Sequence, residues 1–177
     1  GQATLGEKVI ARIEDCGGYL MPLAQLEDPE VTKARLASLE SSGLPVNPEG
    51  PAFDFSSLCD RVLEHEPNAR ILITKTFRTT EPFYADHFPR FAVTPIVVIN
   101  EMIARATGKM LSMDASWVPI APVAVQDLKI KSFIKPGESV VVSVKKVEES
   151  GHEFETVAEI LLGGKRILRG RYRYRKC

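Results

Sequence analysis

Between residues 94 and 113 the apolar positions recur at steps of three and four. Val98, Ile99, Met102, Ile103, Ala106 and Met110 fall on one side of a helix with 3.6 residues per turn, which predicts a single continuous apolar face. Thr94 is placed to cap that helix, and Pro95 suits its first position, where a missing N–H costs nothing. Roughly 20 residues at 1.5 Å each give a helix about 30 Å long, enough to cross a small sheet. Gly108, the loss of pattern after Met113 and the proline-studded SWVPIAP mark its end. Glu101 breaks the run VVINEMIA, a place where a carboxylate is unexpected.

Elsewhere the period is two. SSLCDRVLEHE and ARILITKTF, separated by Pro67-Asn68, predict a hairpin ahead of the helix. After it come VAVQDLKIKSFI, ESVVVSVKKVEES, FETVAEILL and KRILRGRYRYRK, divided by Pro136-Gly137, Ser150-Gly151 and Gly163-Gly164. Strands in meander around one long helix make an α+β layer whose core the helix supplies. In the last strand Arg169, Arg171, Arg173 and Arg175 share one face, opposite Gly170, Tyr172 and Tyr174.

The first third of the chain is different. Glu7 to Glu14 alternates weakly and predicts a short strand, with a turn at Gly17-Gly18. In DPEVTKARLASLESSG, Asp28 caps, Pro29 starts and Gly43 stops a helix of modest amphipathicity. LPVNPEGP then reads as a linker, giving an N-terminal helical extension over 1–53 and a main domain over 54–177. Residues 1 to 54 carry 4 Lys/Arg against 9 Asp/Glu, and the remainder 19 against 14, so a net charge of zero conceals an acidic extension and a basic domain.

Composition narrows the function class. With 44% apolar and 26% charged residues the chain is an ordinary globular protein, and no stretch approaches the about 18 apolar residues of a membrane span. A cytosolic location is the expectation. Cys16, Cys59 and Cys177 lack any CxxC spacing and are joined by only 3 His, which predicts reduced thiols and no metal site.

Candidate chemistry gathers at His87 and Glu101. Imidazole exchanges protons near neutrality, and a carboxylate in an apolar stripe is a candidate proton donor because desolvation disfavours its charged form. Such a pair can take a proton from one carbon and help a hydroxyl leave the next. The helix start at Pro95 and Ile96 adds free N–H groups for a carbonyl oxygen that gathers charge. His65 and His152 read as exposed. Trp117, Phe83, Tyr84, Phe88 and Phe91 read first as core, although so aromatic a loop also suits an apolar tunnel mouth.

From His87 to Glu101 the sequence HFPRFAVTPIVVINE resembles the motif of hot-dog-fold 3-hydroxyacyl-acyl-carrier-protein dehydratases of the FabZ/FabA type, with H-F-P, Val93, Pro95 and the acid in register without a gap. CDRVLEHEPNARILITKTFRTTEPFYADHFP and QDLKIKSFIKPGESVVVSV extend the resemblance over about residues 55 to 175. It implies a single hot-dog fold, an antiparallel sheet wrapped around the central helix. It also implies dehydration of a 3-hydroxyacyl thioester to the trans-2-enoyl thioester in fatty-acid or polyketide-type synthesis. His87 would remove the C2 proton, Glu101 would assist departure of the hydroxyl, and Ile96, Phe88, Pro95 and Phe91 would contact substrate. The thioester would sit on acyl carrier protein or coenzyme A, with Arg169, Arg171 and Arg173 suited to an acidic carrier. The site would lie between protomers of a homodimer or higher oligomer. No metal, redox cofactor or nucleic acid is implied. Asp86 and Ile96 stand where the family has Gly, and Arg90-Phe91-Ala92 replaces its Gly-x-Pro. A hot-dog thioesterase and a non-catalytic acyl or carrier-protein binding module are the alternative readings.

Overall fold

The computed structural model describes residues 1–18, 20–41, 55–85 and 87–176. The main domain is a six-stranded antiparallel sheet: β3 (Arg61–Glu66), β4 (Arg70–Thr76), β5 (Pro122–Ile130), β6 (Ser139–Ser150), β7 (Glu153–Leu162) and β8 (Lys165–Arg175). Their spatial order is β3-β4-β6-β7-β8-β5. All six predicted strands are present. Asn68, at φ +59°, makes the β3–β4 turn. The stretch SSL ahead of β3 belongs to a short 3-10 turn at Phe55–Leu58 rather than to the strand.

The helix α3 (Ile96–Leu111) lies on the sheet, with Val98, Ile99, Met102, Ile103, Ala106 and Met110 all buried. These meet Ile71, Ile73, Val140, Val142, Val144, Phe154, Ala158 and Ile160 in one core. Burying each valine, isoleucine, methionine or phenylalanine among them contributes about 1.5–3 kcal/mol. The helix has 16 residues, about 24 Å, and is shorter than expected at both ends. Pro95 occupies the N-cap position and no side chain caps the first turn. Thr94 is buried instead, its hydroxyl sharing a 2.8 Å hydrogen bond with that of Tyr84. Gly108 does not end the helix; it lies inside it because the returning chain passes there. A Cβ on Gly108 would come within 2.1 Å of the Val118 carbonyl oxygen.

Two tyrosines lock the helix against β8. Tyr172 donates from its hydroxyl to Asn100 Oδ1 at 2.9 Å, and the Tyr174 hydroxyl lies 3.1 Å from Thr107 Oγ1. The parity expected in β8 holds: Gly170, Tyr172 and Tyr174 are buried, while Arg169, Arg171 and Arg175 are exposed.

The extension has more structure than its pattern suggested. Strands β1 (Gln2–Leu5) and β2 (Lys8–Arg12) form a hairpin turned at Gly6, φ +60°, not at Gly17-Gly18. A single turn, α1 (Leu23–Leu26), precedes α2 (Pro29–Ser41). Asp28 caps α2 as expected, its Oδ1 accepting from the Glu30 amide at 3.0 Å. The expected helix stop at Gly43, the linker, the boundary near 53 and Cys177 lie outside the described residues. Among the described residues no helix is long and apolar enough to cross a membrane.

Two stability predictions follow from this packing. Replacing Gly108 by Ala overpacks the contact with Val118 and should lower unfolding free energy by about 1–3 kcal/mol in urea titration. An unchanged midpoint contradicts the close approach. Burial pushes the Tyr172 phenol well above its ordinary value and that of Tyr174 up to about 12. Both therefore stay neutral in the fold while the unfolded chain ionises near pH 10. Their contribution is intact below about pH 10 and is lost as the pH rises through the folded values. Denaturation measured across that interval, beside phenolate absorbance, should show two tyrosines ionising only with unfolding.

Candidate active site

The loop from Glu81 to Pro95 is tied down along its length. At its start, Glu81 lies 3.5 Å from Lys75 Nζ, and Asp60 lies 3.4 Å from the same nitrogen. Lys75 is only 1% exposed, so the two carboxylates provide the charge partners a buried ammonium needs. A 3-10 turn at Pro82–Ala85 follows, with Tyr84 buried and bonded to Thr94. At the loop's far end the Thr94 amide donates to Ile134 O at 2.8 Å.

His87 sits in the middle, half-buried. Its amide donates to Phe83 O at 2.8 Å, and its ring lies 4.2 Å from that of Phe88. Its Nδ1 is 3.2 Å from the carbonyl oxygen of Val93. A carbonyl only accepts, so this contact places the ring proton on Nδ1 and leaves the lone pair on Nε2. That is the tautomer a general base requires. Asp86, the residue before it, lies outside the described residues.

Glu101 is on the flank of α3, not within its apolar stripe. Its side chain is 37% exposed and Oε1 accepts from Arg105 Nε at 2.8 Å. The Arg105 guanidinium in turn covers the Trp117 ring at 4.5 Å. The expectation of a carboxylate desolvated among apolar neighbours thus gives way to an oriented ion pair at (i, i+4) spacing. Within one chain His87 is held on Val93 and Glu101 on Arg105. At the head of α3 the first N–H groups, those of Ile96 and Val97, have no intrahelical acceptor by geometry.

The remaining predicted residues surround this loop. Pro95 is buried, and Ile96 and Phe88 are about a third exposed, at 36% and 37%. Phe91 packs edge-on against Phe133, 5.7 Å between centroids. Of the five aromatics read as core, only Tyr84 is buried; Trp117 is 46% exposed because it serves Arg105 on the surface of the fold. His152 is exposed as expected, whereas His65 is half-buried in β3.

The β8 arginines face a matching row of glutamates on β7. Arg169 lies 3.6 Å from Glu159, Arg171 3.3 Å from Glu155, and Arg173 and Arg175 lie 3.9 and 2.9 Å from Glu153. The hydrogen bond from Arg175, together with the charges of Arg175 and Arg173, holds the Glu153 carboxyl below its ordinary range. With Arg166 also 2.6 Å from Glu159, five arginines meet three glutamates, so the pairing leaves a positive excess. Among the described residues no group of His, Cys, Asp and Glu is disposed to hold a metal ion.

Several supporting residues escaped the sequence reading. Glu101 with Arg105 was legible from helical spacing. Lys75 was legible as a lysine on the inward parity of Ile71 and Ile73. Trp117, the Tyr84–Thr94 bond and Tyr172 with Asn100 had no local signal, because each joins segments distant in sequence.

Comparison with known proteins agrees with this architecture. The family profile described as ApeI-like, ApeI dehydratase, matches residues 63–161. A 3-hydroxyacyl-[acyl-carrier-protein] dehydratase FabZ of Burkholderia mallei is 31% identical over 112 residues, 58% of this chain and 71% of the relative. One of the same name from Thermotoga neapolitana is 30% identical over 92 residues, 52% of this chain and 66% of the relative. Among solved structures, the dehydratase heterocomplex ApeI:P of Xenorhabdus doucetiae superposes with TM-score 0.52 at 14% identity, covering 68% of this chain and 82% of that one. Zebra fish thioesterase superfamily member 2 superposes at 0.51, also with 14% identity, over 83% and 96% of the two chains. These superpositions establish the hot-dog fold, and the profile match extends over more than half of the sequence: the chain belongs to the ApeI-like dehydratase family.

Proposed function

We propose that this chain dehydrates a 3-hydroxyacyl thioester, carried on acyl carrier protein, to the trans-2-enoyl thioester, with His87 as base and Glu101 assisting the leaving hydroxyl. The observation that carries the reading is the bond from His87 Nδ1–H to Val93 O, which leaves Nε2 free to accept a proton. In the reaction the C2–H bond breaks toward Nε2 and its electron pair becomes the C2=C3 bond. The C3–O bond breaks, and the hydroxyl leaves as water with the proton that Nε2 took from C2, which returns the imidazole to its starting form while the Glu101 carboxylate orients the hydroxyl by accepting its hydrogen bond. Nothing is oxidised or reduced. The Ile96 and Val97 amides face developing charge on the thioester oxygen, a role for which helix N-termini are suited. Arg105 fixes the direction of the Glu101 carboxylate.

The resemblance implies a site shared between protomers, so the reading pairs His87 of one copy with Glu101 of another. The free edge of β5 favours such a partner. Among the described residues this strand pairs with β8 alone, and it exposes Val123 at 52%, Val125 at 38% and Ile130 at 45%. Unpaired apolar edges are surfaces on which further strands or subunits pack. Val97, at the head of α3, is also 69% exposed. The proposed carrier contact at Arg169, Arg171 and Arg173 would have to compete with Glu153, Glu155 and Glu159, so the dehydratase reading does not depend on it.

The test is enoyl formation from a 3-hydroxyacyl thioester of medium chain length, with free thiol followed in the same sample. Enoyl absorbance without thiol release is expected. His87→Ala and Glu101→Gln should each lower turnover roughly a hundred- to ten-thousandfold without changing the fold. Thiol release without enoyl would assign a thioesterase. Neither product from folded oligomer, across several chain lengths, would leave a binding module.

A further inference from the structure

Among the described residues, Arg90 is where the N-terminal extension is hydrogen-bonded to the site loop. Arg90, three residues beyond His87, donates its amide to Leu26 O at 3.0 Å, Nη1 to Ala24 O at 3.3 Å and Nη2 to Asp28 Oδ2 at 2.6 Å. Leu26, Glu27, Asp28 and Pro29 are partly buried there, whereas β1, β2 and residues 33–37 of α2 are exposed. Asp28 is used twice. Its Oδ1 starts α2 by accepting from Glu30, while its Oδ2 receives Arg90.

The loop has reason to need support from outside. Phe88, next to His87, adopts φ +53°, a left-handed conformation that bulky side chains avoid and that persists only when surroundings impose it. Phe91 closes the bend, its amide donating to Phe88 O at 2.8 Å. Arg90 lies inside this bend, so a hold on Arg90 is a hold on the backbone that presents the imidazole.

We propose that Asp28 and Arg90 are positioning residues, a latch by which the extension keeps the His87 loop in its working conformation. The kinetic part rests on the reading of His87 as base; the conformational part does not.

The test compares the wild-type chain with Asp28→Asn, Arg90→Ala and the double variant. Asn caps a helix about as well as Asp, so Asp28→Asn removes the latch charge while sparing the start of α2. Hydrogen exchange of peptides spanning 83–93 should quicken in both single variants, with exchange elsewhere in the main domain unchanged. Turnover should fall about ten- to a hundredfold in kcat with little change in KM, and the pH profile should keep its shape. The double variant should be no worse than the poorer single one, since both remove one interaction. Wild-type exchange over 83–93 in both single variants overturns the latch, as do fully additive effects. Faster exchange with unaltered kcat overturns the positioning role. A wild-type chain without turnover sinks the dehydration reading and the kinetic part with it, and exchange then decides the latch alone.

Discussion

The buried hydrogen bond between the hydroxyls of Tyr84 and Thr94 is the constraint on which the rest of this site depends. It joins the 3-10 turn before His87 to the residue before α3, closing the loop into a ring supported further by Lys75 with Glu81, the Thr94 amide on Ile134 and Arg90 on Asp28. Either hydroxyl left alone in that position would cost about 1–3 kcal/mol. The loop therefore has one favoured closed shape. Within it the Val93 carbonyl comes within hydrogen-bonding distance of the His87 ring, and the imidazole tautomer follows from the backbone.

The same bond fixes where α3 begins, and the sheet fixes how it is rotated. Tyr172 on Asn100 and Tyr174 on Thr107 are large buried side chains whose hydroxyls must be satisfied, and each finds its partner on α3. With Asn100 turned to β8 and Met102 and Ile103 turned to the core, Glu101 is left on the flank, where Arg105 one turn later meets it. Core packing and candidate chemistry are thus two consequences of one helix rotation. On β5 and at Val97 a single chain leaves apolar side chains exposed.

Much of this was legible in the sequence because it is periodic. A period of two gave the strands and the parity of Arg169 to Arg175; steps of three and four gave the buried face of α3. The misreadings came where tertiary structure outweighed local preference. Thr94 has the chemistry of a cap but is spent on Tyr84. Gly108 looks like a helix stop yet serves the close approach of Val118. The arginine row looked free, since the glutamates that pair with it lie on β7 and are matched only through strand register. Asp28 and Arg90 are 62 positions apart, and no spacing rule joins them. The candidate site was read from the His87–Glu101 motif, whereas its supports depend on contacts between segments distant along the chain.

The central claim is that the base of one copy works with the acid of another. The most direct measurement mixes His87→Ala with Glu101→Gln chains, each inactive alone, under conditions that let protomers exchange. Random pairing of equal amounts makes half of the dimers mixed, and each mixed dimer restores one intact site of two, so the account predicts recovery of about a quarter of wild-type turnover. Mixed dimers that form and remain inactive would contradict it, and would require His87 and Glu101 to act within a single chain.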